Sequence, residues 1–144
     1  MKFGSPWIKD EISNIGIDNQ GLLLMTLYSM LVIPKELIQN EFKSEYAEIN
    51  NYLSTIARDT HSDYGSDKPV VNYLNHIRNS VAHSRVSFNP SGSVTFSDER
   101  KNFKTKKLEK FSTVIPLEKF GEFLMQLQTI HLAYIEKLQN IKKS

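Results

Sequence analysis

Apolar residues recur at the three- and four-residue spacing of an amphipathic helix over much of the chain. After Pro34, the spaced positions are Phe42, Tyr46, Ile49, Leu53 and Ile56. In the last segment, which opens at Pro116, they are Phe120, Leu124, Leu127, His131, Tyr134, Leu138 and Ile141. A stripe of this kind buries one face of a helix against a core. The pattern therefore predicts a helix from Lys35 onward and a long closing helix after Pro116.

Capping and helix-breaking residues predict the boundaries of the other helices. Ser5 and Pro6 suit the N-cap and the first residue of a short helix near the start of the chain. Asn19 can cap a second helix, which Pro34 ends or kinks. The segment Asp59–Asp67 has no periodicity and is predicted to be a loop that leads into a fourth helix.

After the fourth helix, the apolar residues change to the two-residue period of a β-strand. Val86-Ser87-Phe88 and Val94-Thr95-Phe96 flank the turn-forming stretch Asn89-Pro90-Ser91-Gly92. This predicts a β-hairpin at about 85–98, followed by a basic loop at about 99–115. We therefore expect a single domain, residues 1–144, of mainly α class, formed by an antiparallel helical bundle with one inserted β-hairpin.

The composition excludes several classes of protein. The 144 residues contain no cysteine, which excludes disulfide scaffolds, thiol nucleophiles and cysteine-ligated zinc. The longest apolar stretch, residues 21–33, is well short of the ~20 residues that cross a bilayer. Residues 1–7 also lack the apolar core of a signal peptide. We expect a cytoplasmic protein that does not enter a membrane.

Positive charge is concentrated in the second half of the chain, although the net charge is only +2. One stretch of eleven residues holds a single acid, Glu109, beside Arg100, Lys101, Lys104, Lys106, Lys107 and Lys110. Such a density can neutralise several phosphates, so Lys101, Lys104, Lys106 and Lys107 are candidate substrate-binding residues. A solvated loop has the same composition, and this interpretation remains open.

The fourth helix has a polar face without lysine or glutamate. Three amides and two imidazoles share this face: Asn72, Asn75, His76, Asn79 and His83. Arg78 lies at the border, where its guanidinium can reach the same side. A fixed cation beside a group that titrates near neutral pH is what phosphodiester cleavage without a metal requires. A capped helix end with a surface ion pair is the alternative explanation.

Residues 78–83, Arg-Asn-Ser-Val-Ala-His, resemble the R-N-x-x-x-H motif of the HEPN superfamily, the higher eukaryotes and prokaryotes nucleotide-binding domains. The hairpin that follows is similar to that of bacterial HEPN-family nucleases from plasmid and toxin contexts. The resemblance implies a homodimer that pairs two motifs in one composite active site. It also implies metal-independent endoribonuclease activity, with Arg78 and His83 as catalytic residues and Asn79 as the polar residue after the arginine.

We therefore expect a toxin or defence effector that cleaves single-stranded RNA through attack of the RNA 2′-hydroxyl on the adjacent phosphorus, with His83 in proton transfer. HEPN toxins paired with nucleotidyltransferase antitoxins often have a tyrosine two residues after the histidine, but this chain has Arg85 there. Regulation through such a tyrosine is therefore not supported, and binding of an antitoxin or other regulatory protein stays open. The alternative function is a non-catalytic helical module that binds a nucleotide or a protein partner through the same face.

His76 and Arg85 complete the set of candidate substrate-binding residues. His76 lies two helical turns from His83 and is either a second proton carrier or a structural histidine bonded to a neighbouring amide. His61 and Asp63 could join these histidines around a metal, but no HExxH spacing is present, and we predict no metal site. Without a glycine-rich phosphate loop or a dinucleotide fingerprint, no cofactor is expected.

Overall fold

A computed structural model describes residues 20–143 of the chain. Its helices are α1 (Gln20–Leu27), α2 (Lys35–Ile38), α3 (Lys43–Ile56), α4 (Tyr73–Ala82) and α5 (Phe120–Lys143). Its strands are β1 (Arg58–Ser62), β2 (Val86–Asn89), β3 (Ser93–Lys101) and β4 (Leu108–Pro116). The short helix predicted after Ser5 lies outside the described residues.

The prediction of a helical bundle with one inserted hairpin is wrong, because the strands form a four-stranded antiparallel sheet in the order β1-β4-β3-β2. The hairpin itself is confirmed: Val86 pairs with Phe96, and Phe88 pairs with Val94. Its turn contains Gly92 with a φ of 83°, in the left-handed region that glycine adopts without strain. The hairpin is thus one half of a larger sheet.

The hydrophobic pattern did not predict β4 and β1, for different reasons. β4 begins inside the segment predicted as a basic loop, where charged residues obscure the alternation of the buried Phe111, Thr113 and Ile115 with more exposed neighbours. β1, which was predicted as part of a loop, has the sequence Arg-Asp-Thr-His-Ser and no apolar residue. As an edge strand it pairs only with β4, so its side chains can remain polar.

The core lies between one face of the sheet and the helices. α4 packs on β3 and against α3, while α5 packs against α3 and against the π-helical segment Tyr28–Val32, which continues α1. The fully buried apolar side chains come from these helices and from β3 and β4: Leu27, Leu53, Ile77, Val94, Phe96, Phe111, Ile115, Phe123 and Leu127. The long closing helix predicted after Pro116 is therefore confirmed as a core element.

His131 interrupts the apolar stripe of α5 and lies half-buried against the π-helical segment Tyr28–Val32. Its Nε2 lies 3.0 Å from the carbonyl oxygen of Met30, so this nitrogen carries the proton and donates it. Burial lowers the pKa of His131, and the hydrogen bond to Met30 opposes this shift. No helix within residues 20–143 has the length and hydropathy to span a bilayer.

α4 begins at Tyr73, later than predicted. Side chains from outside the helix hold its first turn in place. The Asn72 side chain caps the helix by accepting a hydrogen bond from the backbone N–H of Asn75 at 3.1 Å. From α3, the Asn50 amide donates to the carbonyl of Val71 at 3.0 Å and accepts from the N–H of Leu74 at 3.1 Å. The start of α4 is therefore attached to α3.

The C-terminal end of α4 is a Schellman motif. Ser84 has a φ of 55°. Its N–H donates to Val81 at 3.2 Å, and the N–H of Arg85 donates to Ser80 at 2.8 Å. Glycine is the residue preferred at this left-handed position, whereas serine has a Cβ that disfavours it.

Ser84→Gly is expected to raise the free energy of unfolding by about 1 kcal/mol, because glycine relieves the cost of the left-handed conformation. Urea denaturation followed by circular dichroism measures this change. Ser84→Ala is the matched control and should be no more stable than the wild-type protein. A glycine variant less stable than the wild type would contradict this account of the helix end.

Candidate active site

Arg78 is a buried cation in the wall of a surface cleft. Its side chain leaves α4 and is only 9% exposed. The guanidinium donates through Nη1 to Oε1 of Gln39 at 3.2 Å and through Nη2 to the side-chain oxygen of Asn75. Burial lowers the pKa of Arg78, while the nearby Tyr46 and Asp98 oppose the shift. Two amides thus fix the orientation of the guanidinium plane.

The cleft has a volume of about 340 Å³, within the range of small-molecule sites. Its described lining is Leu31, Gln39, Lys43, Tyr46, Ala47, Asn50, Ser66, Val70, Val71, Asn72, Leu74, Asn75 and Arg78. Among these residues, Lys43 and Arg78 are cationic and none is acidic. A cleft with two cations, several amides and no carboxylate favours an anionic ligand, such as a phosphate group.

The other side of α4 is attached to the sheet by a buried histidine between two aspartates. The ring of His76 is 1% exposed. Its Nδ1 lies 2.7 Å from Oδ2 of Asp98, which is on β3, and its Nε2 lies 2.8 Å from Oδ2 of Asp67. A ring that carries a proton on both nitrogens donates to both carboxylates. Burial leaves His76 without a surface that a substrate could contact.

Asp67 is held by further donors on its own side of the network. The hydroxyl of Ser62 donates to Oδ2, and the N–H of Asn72 donates to Oδ1 at 3.0 Å. Burial alone would raise the pKa of Asp67, but the hydrogen bonds from Ser62, Asn72 and His76 outweigh it and lower this pKa. The carboxylate of Asp67 is therefore favoured in its ionised form.

Aromatic rings enclose the imidazole of His76. Phe111 stacks on it with ring centroids 4.1 Å apart, and Tyr64 meets it edge-on at 4.5 Å. The Arg100 guanidinium covers the Tyr64 ring at 4.8 Å. Burial and the charge of Asp98 raise the pKa of Tyr64, so its hydroxyl keeps its proton. The ion network is thus shielded from solvent on several sides.

Asn79 connects the motif to this buried network. Its Nδ2 donates to Oδ2 of Asp98 at 3.1 Å, the same oxygen that accepts from His76. The shared oxygen fixes the Asn79 amide relative to β3. Asn79 is therefore positioned by the sheet, whereas Arg78 is positioned by Gln39 and Asn75.

His83 is exposed at the C-cap of α4. Its backbone N–H donates to the carbonyl of Asn79 at 2.9 Å. Within the described residues, its side chain makes no hydrogen bond or ion pair, and it is not part of the lining of the Arg78 cleft. Arg78 and His83 of the same chain therefore lie in different environments.

The remaining candidate residues lie next to the sheet strands, before β2 and around the β3–β4 turn. Arg85 forms an exposed ion pair with Glu99, with Nη2 3.4 Å from Oε1. The four candidate lysines are exposed at the end of β3 and in the turn before β4: Lys101, Lys104, Lys106 and Lys107. These lysines are therefore separate from the Arg78 cleft.

Sequence reasoning missed both aspartates that hold His76. A signal for Asp98 was present, because the two-residue period of Val94 and Phe96 places Asp98 on the same inward face. A carboxylate at a buried strand position requires a partner, and His76 on the neighbouring helix is one. Asp67 had no such signal, since it follows a stretch without periodicity.

The family model described as HEPN pEK499 p136 matches residues 5–138. The chain belongs to this HEPN family. Its membership confirms the resemblance carried by residues 78–83 and indicates a nuclease or nucleotide-binding module. No curated protein and no solved structure shows a significant match.

The lowered pKa of Asp67 predicts a specific loss of stability in acid. A depressed carboxyl pKa contributes stability that is complete above the unfolded value of about 3.9 and is lost as the pH falls through the lower folded value. Asp67→Asn lacks this contribution. Urea denaturation from pH 7 to pH 2.5 should show a difference between wild type and variant that shrinks below about pH 4.

The exposed Asp63→Asn variant is the matched control, and its stability should follow that of the wild type at every pH. A difference between wild type and Asp67→Asn that stayed constant across the acid range would contradict the role assigned to the Asp67 carboxylate.

Proposed function

We propose that the protein is a metal-independent endoribonuclease that cleaves single-stranded RNA, as a toxin or a defence effector. The observation that carries this proposal is the HEPN motif on α4, which combines the buried guanidinium of Arg78 in an anion-favouring cleft with the exposed imidazole of His83. Family membership supports the same class of function.

In the proposed reaction, the 2′-hydroxyl of RNA loses its proton to a base and its oxygen bonds to the adjacent phosphorus. The bond from phosphorus to the 5′-oxygen breaks, and that oxygen takes up a proton. The products are a 2′,3′-cyclic phosphate and a 5′-hydroxyl. The imidazole of His83 transfers the proton, since imidazole gains and loses protons near neutral pH. Arg78 stabilises the negative charge that develops on the phosphoryl oxygens.

Asn79 is assigned a supporting role in this scheme. Its Nδ2 is bonded to Asp98, which leaves the amide oxygen as an acceptor. Through this bond, the sheet fixes the last turn of α4 that presents His83. Asn79 is therefore proposed to align the motif without exchanging a proton.

A homodimer explains how the separated groups act on one phosphate. In-line attack requires a base on one side of the phosphorus and an acid on the other, and each motif supplies one exposed histidine. Arg78 and His83 of one chain lie in different environments. A twofold axis near α4 would place the His83 of one protomer beside the Arg78 of its partner and supply two histidines to a composite site.

Nucleotide binding without cleavage is the second candidate function, and the Arg78 cleft is the observation that favours it. Two cations and several amides in a cleft of about 340 Å³ suit one phosphorylated nucleoside. Titration calorimetry with AMP tests this function. Binding that Lys43→Ala and Arg78→Lys both weaken, in a protein without RNA cleavage, would favour it over the nuclease.

The purified protein is expected to cleave end-labelled single-stranded RNA in the presence of EDTA and to leave 2′,3′-cyclic phosphate ends. His83→Ala should lower the rate by ~10² or more, because a proton-transfer group is lost. Arg78→Lys should lower it by a similar factor, since an ammonium group lacks the paired donors of a guanidinium. Gel analysis of the products measures both effects.

His61→Ala and Arg58→Lys change exposed residues of the same types on β1 and should leave the rate unchanged. Far-UV circular dichroism checks that every variant is folded. A His83→Ala protein with full activity would rule out the proposed mechanism.

If the active site is composite, the activity per chain should fall when the protein is diluted through its dimer dissociation constant. Light scattering after gel filtration measures the oligomeric state, and the cleavage assay over a dilution series measures the activity. His83→Ala should still dimerise. A monomer whose activity per chain is independent of concentration would leave the site within a single subunit.

A further inference from the structure

The turn that joins β3 and β4 is internally ordered. The N–H of Asn102 donates to the carbonyl of Lys107 at 2.9 Å, and the N–H of Lys106 donates to the carbonyl of Asn102 at 2.7 Å. The Asn102 side chain accepts from the N–H groups of Lys104 and Thr105, at 3.0 and 3.2 Å. The side chains of this turn are therefore presented by a defined backbone.

Arginine side chains pair with the two glutamates beside this turn, Glu99 and Glu109. Glu99 pairs with Arg85, and Glu109 pairs with Arg100 at 3.0 Å while it also accepts from the N–H of Gly65. Among the described ion pairs, none involves the five lysines Lys101, Lys104, Lys106, Lys107 and Lys110. Within residues 20–143, these lysines are therefore positive charges without an ion-pair partner.

An aromatic ring projects from the same turn. Phe103 is 87% exposed, the largest exposure among the large apolar residues described. Together with residues 100–102 and Lys104 it lines a surface groove. Phe111, the other aromatic residue near the charge run, is buried against His76 instead. An exposed ring among lysines offers base stacking beside phosphate contacts, the combination that binds single-stranded nucleic acid.

We propose that the β3–β4 tip, residues 101–110, is a docking surface for single-stranded RNA, in which the lysines contact phosphates and Phe103 stacks on a base. The choice of RNA rests on the proposed function. The tip is separate from the Arg78 cleft, so it adds a second contact with the same strand.

The sheet places this tip near the motif. Arg85 follows His83 by two residues and pairs with Glu99, and Glu99 precedes Lys101 by two residues on β3. At about 3.3 Å per strand residue, Glu99 and Lys101 are roughly 7 Å apart. A strand of RNA that lies along the tip therefore extends toward the end of α4 that carries His83.

The test measures binding of a fluorescent 12-nucleotide uridine RNA by anisotropy, in the His83→Ala background so that the RNA stays intact. A triple variant, Lys104→Ala, Lys106→Ala and Lys107→Ala, should reduce the slope of log affinity against log salt concentration by about 2. Phe103→Ala should weaken binding by about tenfold at every salt concentration without changing this slope. Phe103→Trp should bind the RNA as tightly as a protein that keeps Phe103.

The matched control replaces Lys119, Lys142 and Lys143 with alanine, which removes the same charge elsewhere on the surface and should leave the slope nearly unchanged. Equal slopes for both triple variants, or an unchanged affinity for Phe103→Ala, would overturn the proposal. Equally tight binding of a ten-residue glutamate peptide would also overturn it, because the tip would then recognise acidic proteins.

The experiments distinguish a failure of the docking surface from a failure of the nuclease assignment. RNA binding that depends on Phe103, in a protein with no cleavage activity, would support the docking surface while the nuclease proposal fails. Conversely, cleavage that depends on His83, with KM unchanged by both Phe103→Ala and the Lys104, Lys106 and Lys107 triple variant, would leave the nuclease in place and remove the docking surface.

Discussion

The arrangement of this fold depends on a single imidazole that bridges two carboxylates in the protein interior. His76 lies on α4, Asp98 on β3 and Asp67 in the turn before α4, so the three side chains join three parts of the chain. Buried charges are costly to leave unpaired, and the imidazole has both of its nitrogens satisfied only when both aspartates are in place. The network therefore specifies how α4 lies on the sheet.

This constraint determines what each face of α4 presents. With His76 directed at the sheet, Ile77 and Val81 are buried in the core, and Arg78 enters the cleft beside α3. His83, at the C-cap, is left in solvent. The attachment of α4 to the sheet thus determines that the arginine faces the cleft and the histidine faces solvent.

The sequence was informative where a pattern is local. The stripe of α5 and the alternation of β2 and β3 were visible because each depends on neighbouring positions. β1 and β4 were not, since β1 has no apolar residue and β4 directly follows a dense run of lysines. The motif on α4 could be recognised by its spacing, but the cleft could not, because Gln39 and Tyr46 reach Arg78 only through tertiary packing. Asp67 and Asp98 were missed for the same reason.

After the Schellman motif, only Ser84 lies between the C-cap of α4 and the first residue that is hydrogen-bonded to the sheet. After His83, the chain turns at Ser84, and Arg85 is already bonded to Ser97 through its carbonyl oxygen at 3.1 Å. The backbone of His83 cannot shift without moving β2 or breaking the helix end. A displacement of β2 would therefore also displace the backbone that carries His83.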